Sequence, residues 1–242
     1  MTRPLATAIA LSALLVTPAC GQVAASPERA EIEEIVREYI LQNPEVLEEA
    51  LISLAEKREA EKTEAARAAL ASSSDALLND DRDFSIGPAD AELTIVEFFD
   101  YRCGYCKASL DWIQELPDIH GDNVRVVFKE LPILSPESEQ AALAAIAAGN
   151  QGLYNEMHTA LMKSRSPFKS ADIDRIAEDV GLDVDRMRAD MKTAAARQQL
   201  ADIRALAQSI GASATPTFVI DGELVEGFNR ARLEALIEDK LG

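Results

Sequence analysis

Leu93-Thr94-Ile95-Val96-Glu97-Phe98-Phe99-Asp100-Tyr101-Arg102-Cys103-Gly104-Tyr105-Cys106 is the stretch whose reading decides the fold of this chain. Its first seven residues are a nearly unbroken apolar run with one acid, the pattern of a strand buried on both faces. Two cysteines in C-x-x-C spacing follow at once, and a helix opens from Lys107. Where a strand runs directly into a helix, unpaired backbone N–H groups and the helix dipole favour a thiolate. Cys103 is therefore expected to be the exposed nucleophile with a depressed pKa. Cys106, one turn into the helix, is expected to be more buried and to resolve the mixed disulfide. Exchange would proceed by thiolate attack on a client disulfide and then by attack of the partner thiol.

Downstream, residues 124–129 read as a second strand and residues 136–210 as an alanine-rich helical block. That block has breaks at Gly149-Asn150, Ser166-Pro167 and Gly181. Thr217-Phe218-Val219-Ile220 is a third strand, Asp221-Gly222 a hairpin signal, and Glu223-Leu224-Val225 a fourth strand. Asn229 can cap a final helix. The order strand, helix, strand, helical block, hairpin, helix resembles a thioredoxin-like α/β fold with an inserted helical subdomain at about residues 133–210.

Thr215-Pro216 precedes a strand, where proline belongs at an entry or in a turn. A cis bond there would turn the backbone against the cysteine pair and free Thr215 to hold an extended client by strand addition. Gly104 and Tyr105, between the cysteines, join Thr215 and Pro216 as expected client-binding residues. Glu97 interrupts an apolar strand; if both faces are covered, its pKa should rise and it could exchange a proton with Cys106. Lys129 on the neighbouring strand is its expected partner, while a strand-end acid that reaches water is the plainer alternative. Trp112, Met157 and Phe168 read as core or groove residues.

Toward the N-terminus, residues 28–70 read as helical. Ile32, Ile35, Val36, Tyr39 and Ile40 recur at helical spacing among glutamates. Asn43-Pro44-Glu45 then punctuates the run, with Asn43 as N-cap. A second stripe through Leu47, Leu51 and Leu54 follows, and then an exposed charged helix. Such an arm could pack on the catalytic domain; pairing with copies of itself into a homotrimer or other homo-oligomer is the favoured expectation. Ser72-Ser73-Ser74-Asp75 loosens the chain and Gly87-Pro88 marks the entry to the globular part. The expected domains are thus residues 1–25, 26–75 and 76–242.

Residues 1–25 read as an export signal, with Arg3 before an apolar run at residues 5–16 that is too short to span a bilayer. Cleavage after Ala25 would release a soluble protein, whereas Thr17-Pro18-Ala19-Cys20 resembles a lipobox that would leave Cys20 lipidated. Either way the expected location is the bacterial periplasm. Length allows one domain plus an appended element, and 48% hydrophobic residues allow a sizeable core. A net charge of −18 argues against nucleic-acid binding.

Of three cysteines, Cys20 belongs to the signal or anchor, so only Cys103 and Cys106 remain to the mature chain. An exported protein that used disulfides structurally would scatter more of them. A structural disulfide or zinc are the alternatives, but His120 and His158 lack ligand spacing for zinc. Two soft thiolates could hold Cu(I), which leaves a copper-binding protein as a reading of another class. No dissociable cofactor is expected beyond the redox-active cysteine pair.

Phe98-Phe99-Asp100-Tyr101-x-Cys103-Gly104-Tyr105-Cys106, with Ala214-Thr215-Pro216-Thr217-Phe218-Val219-Ile220-Asp221-Gly222, resembles the bacterial DsbA-like disulfide oxidoreductases over residues 84–242. That resemblance implies a cis-proline at Pro216, periplasmic thiol exchange and roles for Glu97 and Lys129. The arm, centred on Gln42-Asn43-Pro44-Glu45, is similar to the N-terminal segment of suppressor-of-copper-sensitivity C (ScsC) proteins, whose relatives form trimers and act as isomerases. The Gly-Tyr dipeptide and the threonine before proline also resemble disulfide isomerases; Gly104 departs from the Pro-Tyr of the copper-associated proteins. The implied function is an oligomeric disulfide isomerase or reductase for misfolded or mis-disulfided exported proteins, kept reduced by a membrane redox partner. A monomeric dithiol oxidase is the runner-up.

Overall fold

The computed structural model describes residues 27–242. The export-signal reading of residues 1–25 and the alternatives at Cys20 lie outside the described residues. The chain divides into two compact units between Lys57 and Arg58. This is earlier than the change expected near residue 75, because Leu70 is covered by apolar residues of the larger unit.

In the smaller unit, α1 spans Pro27–Gln42 and α2 begins at Glu45, running to Ser72. The break falls at Asn43-Pro44, where proline cannot continue the ladder. Asn43 does not N-cap α2 through its side chain as expected. Its amide Nδ2 instead donates to the Tyr39 carbonyl at 2.8 Å, closing the end of α1. Ile32, Ile35, Val36, Tyr39, Leu47 and Leu51 are all exposed.

The larger unit follows the expected order. Helix α3 (Ser74–Leu78) leads to β1 (Phe84–Ile86), β2 (Leu93–Phe99), α4 (Gly104–His120) and β3 (Val124–Glu130). Five helices make the insertion: α5 (Pro136–Gly149), α6 (Tyr154–Lys163), α7 (Ser170–Asp179), α8 (Val184–Asp190) and α9 (Ala194–Ile210). The hairpin β4 (Thr217–Ile220) and β5 (Glu223–Glu226) and helix α10 (Arg230–Leu241) close the chain. The sheet order is β1-β3-β2-β4-β5, with β2 and β3 parallel and the other pairs antiparallel. This is a thioredoxin-like α/β fold with an inserted helical subdomain. Strand β1 is an addition to the four expected strands; three residues on a sheet edge carry too little periodicity to stand out.

Local chemistry explains the boundaries. Ser135, Asp183, Thr193 and Asn229 each accept a hydrogen bond from a first-turn N–H of the following helix. Asp221 and Gly222 both have positive φ, 46° and 75°, as a two-residue hairpin of the mirror-image turn requires. At Gly87 (φ 84°) a Cβ would lie 2.3 Å from the Val124 carbonyl oxygen, so only glycine permits that approach.

Strand alternation divides the core. Ile95, Phe99, Val126 and Phe128 pack on one face with Leu110, Ile113 and Trp112 of α4 and the inserted helices. Val96, Phe98 and Val127 pack on the other with Leu70, Leu77 and residues of α9. Trp112, Met157 and Phe168 are core residues, as expected. No helix among the described residues is long and apolar enough to cross a membrane.

Candidate active site

Cys103 is the N-cap of α4, with φ −74° and ψ 121°, and its carbonyl accepts the Lys107 N–H at 3.1 Å. The helix therefore starts on the cysteine itself. Both cysteines are free thiols. Cys106 is 1% exposed and Cys103 only 7%, so the expected exposed nucleophile is in fact largely covered. The cover comes from the Thr215 loop: Cys103 Sγ–H donates to the Thr215 carbonyl at 3.1 Å. The Thr215–Pro216 peptide is cis, as the sequence suggested.

Donors around Cys103 Sγ favour its ionised form. The Cys106 thiol has the largest effect; the Cys106 N–H, the Thr215 side chain and the Tyr105 N–H add to it. Together they outweigh burial and hold the Cys103 pKa down at about 5. On ionisation Sγ loses its proton and with it the bond to the Thr215 carbonyl. Burial drives the Cys106 thiol strongly upward, and the neighbouring Cys103 thiolate and Glu97 carboxylate add to this. The two cysteines are thus split into a thiol that ionises readily and a thiol that holds its proton.

Glu97 is 1% exposed, so it does not reach water at the strand end. Burial raises its pKa to about 8, against the Ser109 hydroxyl that donates to Oε1 at 3.0 Å. Lys129 is not its partner. Glu97 registers with Phe128, and Lys129 with Phe98, so period-two alternation puts the two charged side chains on opposite faces of the sheet. Lys129 instead pairs with Asp83 and donates to the Ala76 carbonyl at 2.6 Å, fully buried.

Other residues that build the site were not singled out in the sequence. Asp100 is buried and accepts four hydrogen bonds: from the N–H groups of Arg102 (2.7 Å), Ile133 and Leu134 (2.9 Å each) and from Ser138 Oγ (2.7 Å). Its carbonyl accepts the Cys103 N–H at 3.0 Å. One carboxylate so fastens the cysteine turn to the start of the insertion, beside the exposed Ile133 and Leu134. Lys107 Nζ donates to the Met162 carbonyl at 2.9 Å and sits 5.3 Å from the centre of the Phe168 ring, pinning α4 to the end of α6. Glu130, also buried, accepts the hydroxyls of Tyr101 (2.8 Å) and Tyr154 (2.7 Å). Its parity in β3 matches that of Val126 and Phe128, a signal of the same kind as Glu97 in β2.

Tyr105, between the cysteines, is 68% exposed. Among the described residues no group of three or more His, Cys, Asp or Glu could hold a metal ion. A soft ion such as Cu(I) would find two sulfur donors here, one of them strongly disposed to keep its proton.

The sequence profile of the DSBA-like thioredoxin domain matches residues 94–239, and that of the copper resistance protein ScsC N-terminal domain matches residues 28–61. A thioredoxin-like oxidoreductase from Silicibacter pomeroyi DSS-3 is 38% identical, with a TM-score of 0.65 over 68% of this chain and 95% of that one. A linker-deletion mutant of Proteus mirabilis ScsC is 27% identical, with a TM-score of 0.66 over 91% of this chain and 99% of that one. The Na(+)/H(+) antiporter NhaA 3 of Salinispora tropica is 34% identical over 65% of this chain. The match spans only 24% of that antiporter's length, so the likeness concerns one segment of a longer protein.

Proposed function

The chain belongs to the DSBA-like thioredoxin domain family, and we propose that it is a thiol–disulfide oxidoreductase acting as an exported, oligomeric disulfide isomerase or reductase of the periplasm. The observation that carries the reading is the divided pair: a Cys103 thiolate at the head of α4 and a Cys106 thiol held protonated beneath it. Cys103 attacks a client disulfide, forming one S–S bond to the client and releasing the client's other sulfur as a thiolate. In isomerisation that released thiolate attacks elsewhere in the client. Where the complex stalls, Cys106 passes its proton to Glu97 and attacks Cys103 Sγ; the Cys103–client bond breaks, and the client sulfur leaves as a thiolate that solvent protonates. Thr215, Pro216, Gly104 and Tyr105 form the client contact, and a membrane redox partner returns the pair to the dithiol state.

Oligomerisation is assigned to the arm. Apolar side chains at helical spacing, exposed from Ile32 to Leu54, need a partner surface, and this segment coincides with the ScsC N-terminal match. A second copy of the same arm, in a trimer or other homo-oligomer, supplies that surface and brings several Cys103 sites together. A role for Glu97 as proton acceptor belongs to the same reading, as does a mature protein either soluble or lipid-anchored through Cys20. A copper role is the reading of another class, favoured by the name of the N-terminal match. Cys103 and Cys106 would then hold Cu(I) as a two-sulfur set.

The test is reactivation of a scrambled, disulfide-mispaired protein in glutathione buffer. Recovery that needs Cys103 and falls when residues 27–57 are deleted supports an oligomeric isomerase. The deletion stops at Lys57 so that Leu70 stays in its core. Rapid oxidation of a reduced client without recovery of the scrambled one would overturn the reading in favour of a dithiol oxidase.

A further inference from the structure

Ser109 lies one turn beyond Cys106 on α4 and is completely buried. Its Oγ is 3.0 Å from Glu97 Oε1 and 2.9 Å from the Cys106 carbonyl oxygen, so two acceptors compete for one hydroxyl proton. With Glu97 protonated, the carboxylic acid donates to Ser109 Oγ and the Ser109 hydroxyl donates to the Cys106 carbonyl; every proton then has an acceptor. With Glu97 ionised, the hydroxyl must turn to the carboxylate. A buried carboxylate without such a donor is costly.

We propose that Ser109 is a positioning residue for the resolving step: its hydroxyl turns between the Cys106 carbonyl and Glu97 as Glu97 gains or loses a proton. This rests on the reading of Glu97 as proton acceptor for Cys106. In that step the Cys106 thiol passes its proton to the Glu97 carboxylate. The Cys106 sulfur forms a bond to Cys103 Sγ, the Cys103–client S–S bond breaks, and its electron pair leaves on the client sulfur. As Glu97 takes the proton, Ser109 swings to the Cys106 carbonyl and fixes the first turn of α4 around the new disulfide.

The surroundings of Glu97 leave few competing charges. Its titratable neighbours are Cys103 and Cys106 at the head of α4. Across the sheet it registers with Phe128 of β3 and Phe218 of β4, both apolar, while Lys129 faces the other side. Among the described residues, Ser109 is the hydrogen-bond donor to its carboxylate.

The experiment follows the pH dependence of client release from a preformed Cys103 mixed disulfide in wild type, Ser109→Ala, Ser109→Thr and Glu97→Gln. Infrared titration of the protonated Glu97 carboxyl band runs in parallel. In Ser109→Ala both the release profile and the band should move up by about one to two pH units, the worth of a hydrogen bond to a buried charge. Ser109→Thr, which keeps the hydroxyl, should restore both. A band that titrates identically in wild type and Ser109→Ala would overturn the role of Ser109, whatever the kinetics. If the band moves but Glu97→Gln leaves the release profile intact, Ser109 holds Glu97 as described but Glu97 does not serve Cys106, and the resolving-step proposal falls.

Discussion

Cys103 Sγ lies 3.1 Å from the carbonyl oxygen of Thr215, a contact between residues 112 apart in sequence. It brings the head of α4 and the loop before β4 to one point, and it exists only while Cys103 carries its proton.

The donors around Cys103 Sγ, the Cys106 thiol foremost, should let the Cys103 thiol ionise near pH 5. Thiolate absorbance at 240 nm in the reduced protein should rise through that pH and be absent at pH 7 in Cys103→Ser. Alkylation by iodoacetamide should be fast at neutral pH and fade as pH falls below about 5. Thr215→Val should move the midpoint upward, since the Thr215 side chain helps to hold the thiolate. A midpoint near that of an ordinary thiol, about 8.5, would contradict the divided pair.

Lys129 and Asp83 form a buried ion pair on the face of the sheet away from Glu97. Lys129→Met should leave Asp83 buried and unpaired at a cost of about 3–5 kcal/mol in urea unfolding. Replacing Asp83 with Leu as well should recover most of that loss. The Cys103 thiolate titration should stay in place in the double variant. A large shift would mean that Lys129 acts on the cysteines after all.

Burial raises the Glu130 pKa from an ordinary 4.5 to about 8. Between those values the folded protein keeps a proton that the unfolded chain has released, so stability falls as pH rises through the window. Glu130→Gln should flatten this part of the stability–pH curve. His158 acts in the opposite sense: burial lowers its pKa from 6.5 to about 3, so its contribution to stability is lost as pH falls through that range. Denaturant midpoints measured from pH 4 to 9 in wild type, Glu130→Gln and His158→Gln check the two slopes.

Light scattering should find the full chain oligomeric and the chain lacking residues 27–57 monomeric, with the Tm of the larger unit preserved. Equal mass per particle in both forms would remove the arm from the account of assembly.

Much of the fold was legible because it rests on local signals that the structure obeys. The apolar run of β2, the Asp221-Gly222 turn and the Asn229 cap each prescribe their element through neighbours in sequence. The site was legible where one residue type determines the chemistry: Cys103, Cys106 and the cis bond before Pro216. It was not legible where the partner is set by the face of a strand in a sheet whose register is unknown. Glu97 and Lys129 lie on adjacent strands in opposite parity, and nothing in either segment alone reveals this. Asp83, which takes Lys129, precedes a three-residue strand too short to announce itself. Asp100, Ser109 and Glu130 are polar residues at positions that become buried only when the insertion and α4 close over the sheet.

The most direct measurement is capture of a disulfide-bearing client by Cys106→Ser protein, with the adduct mapped by mass spectrometry. A covalent complex through Cys103 should form at pH 7, weaken below about pH 5 as the thiolate is lost, and be absent in Cys103→Ser. Failure of the Cys106→Ser protein to trap any client, with both cysteines instead needed only to hold Cu(I), would contradict thiol–disulfide exchange as the work of this site.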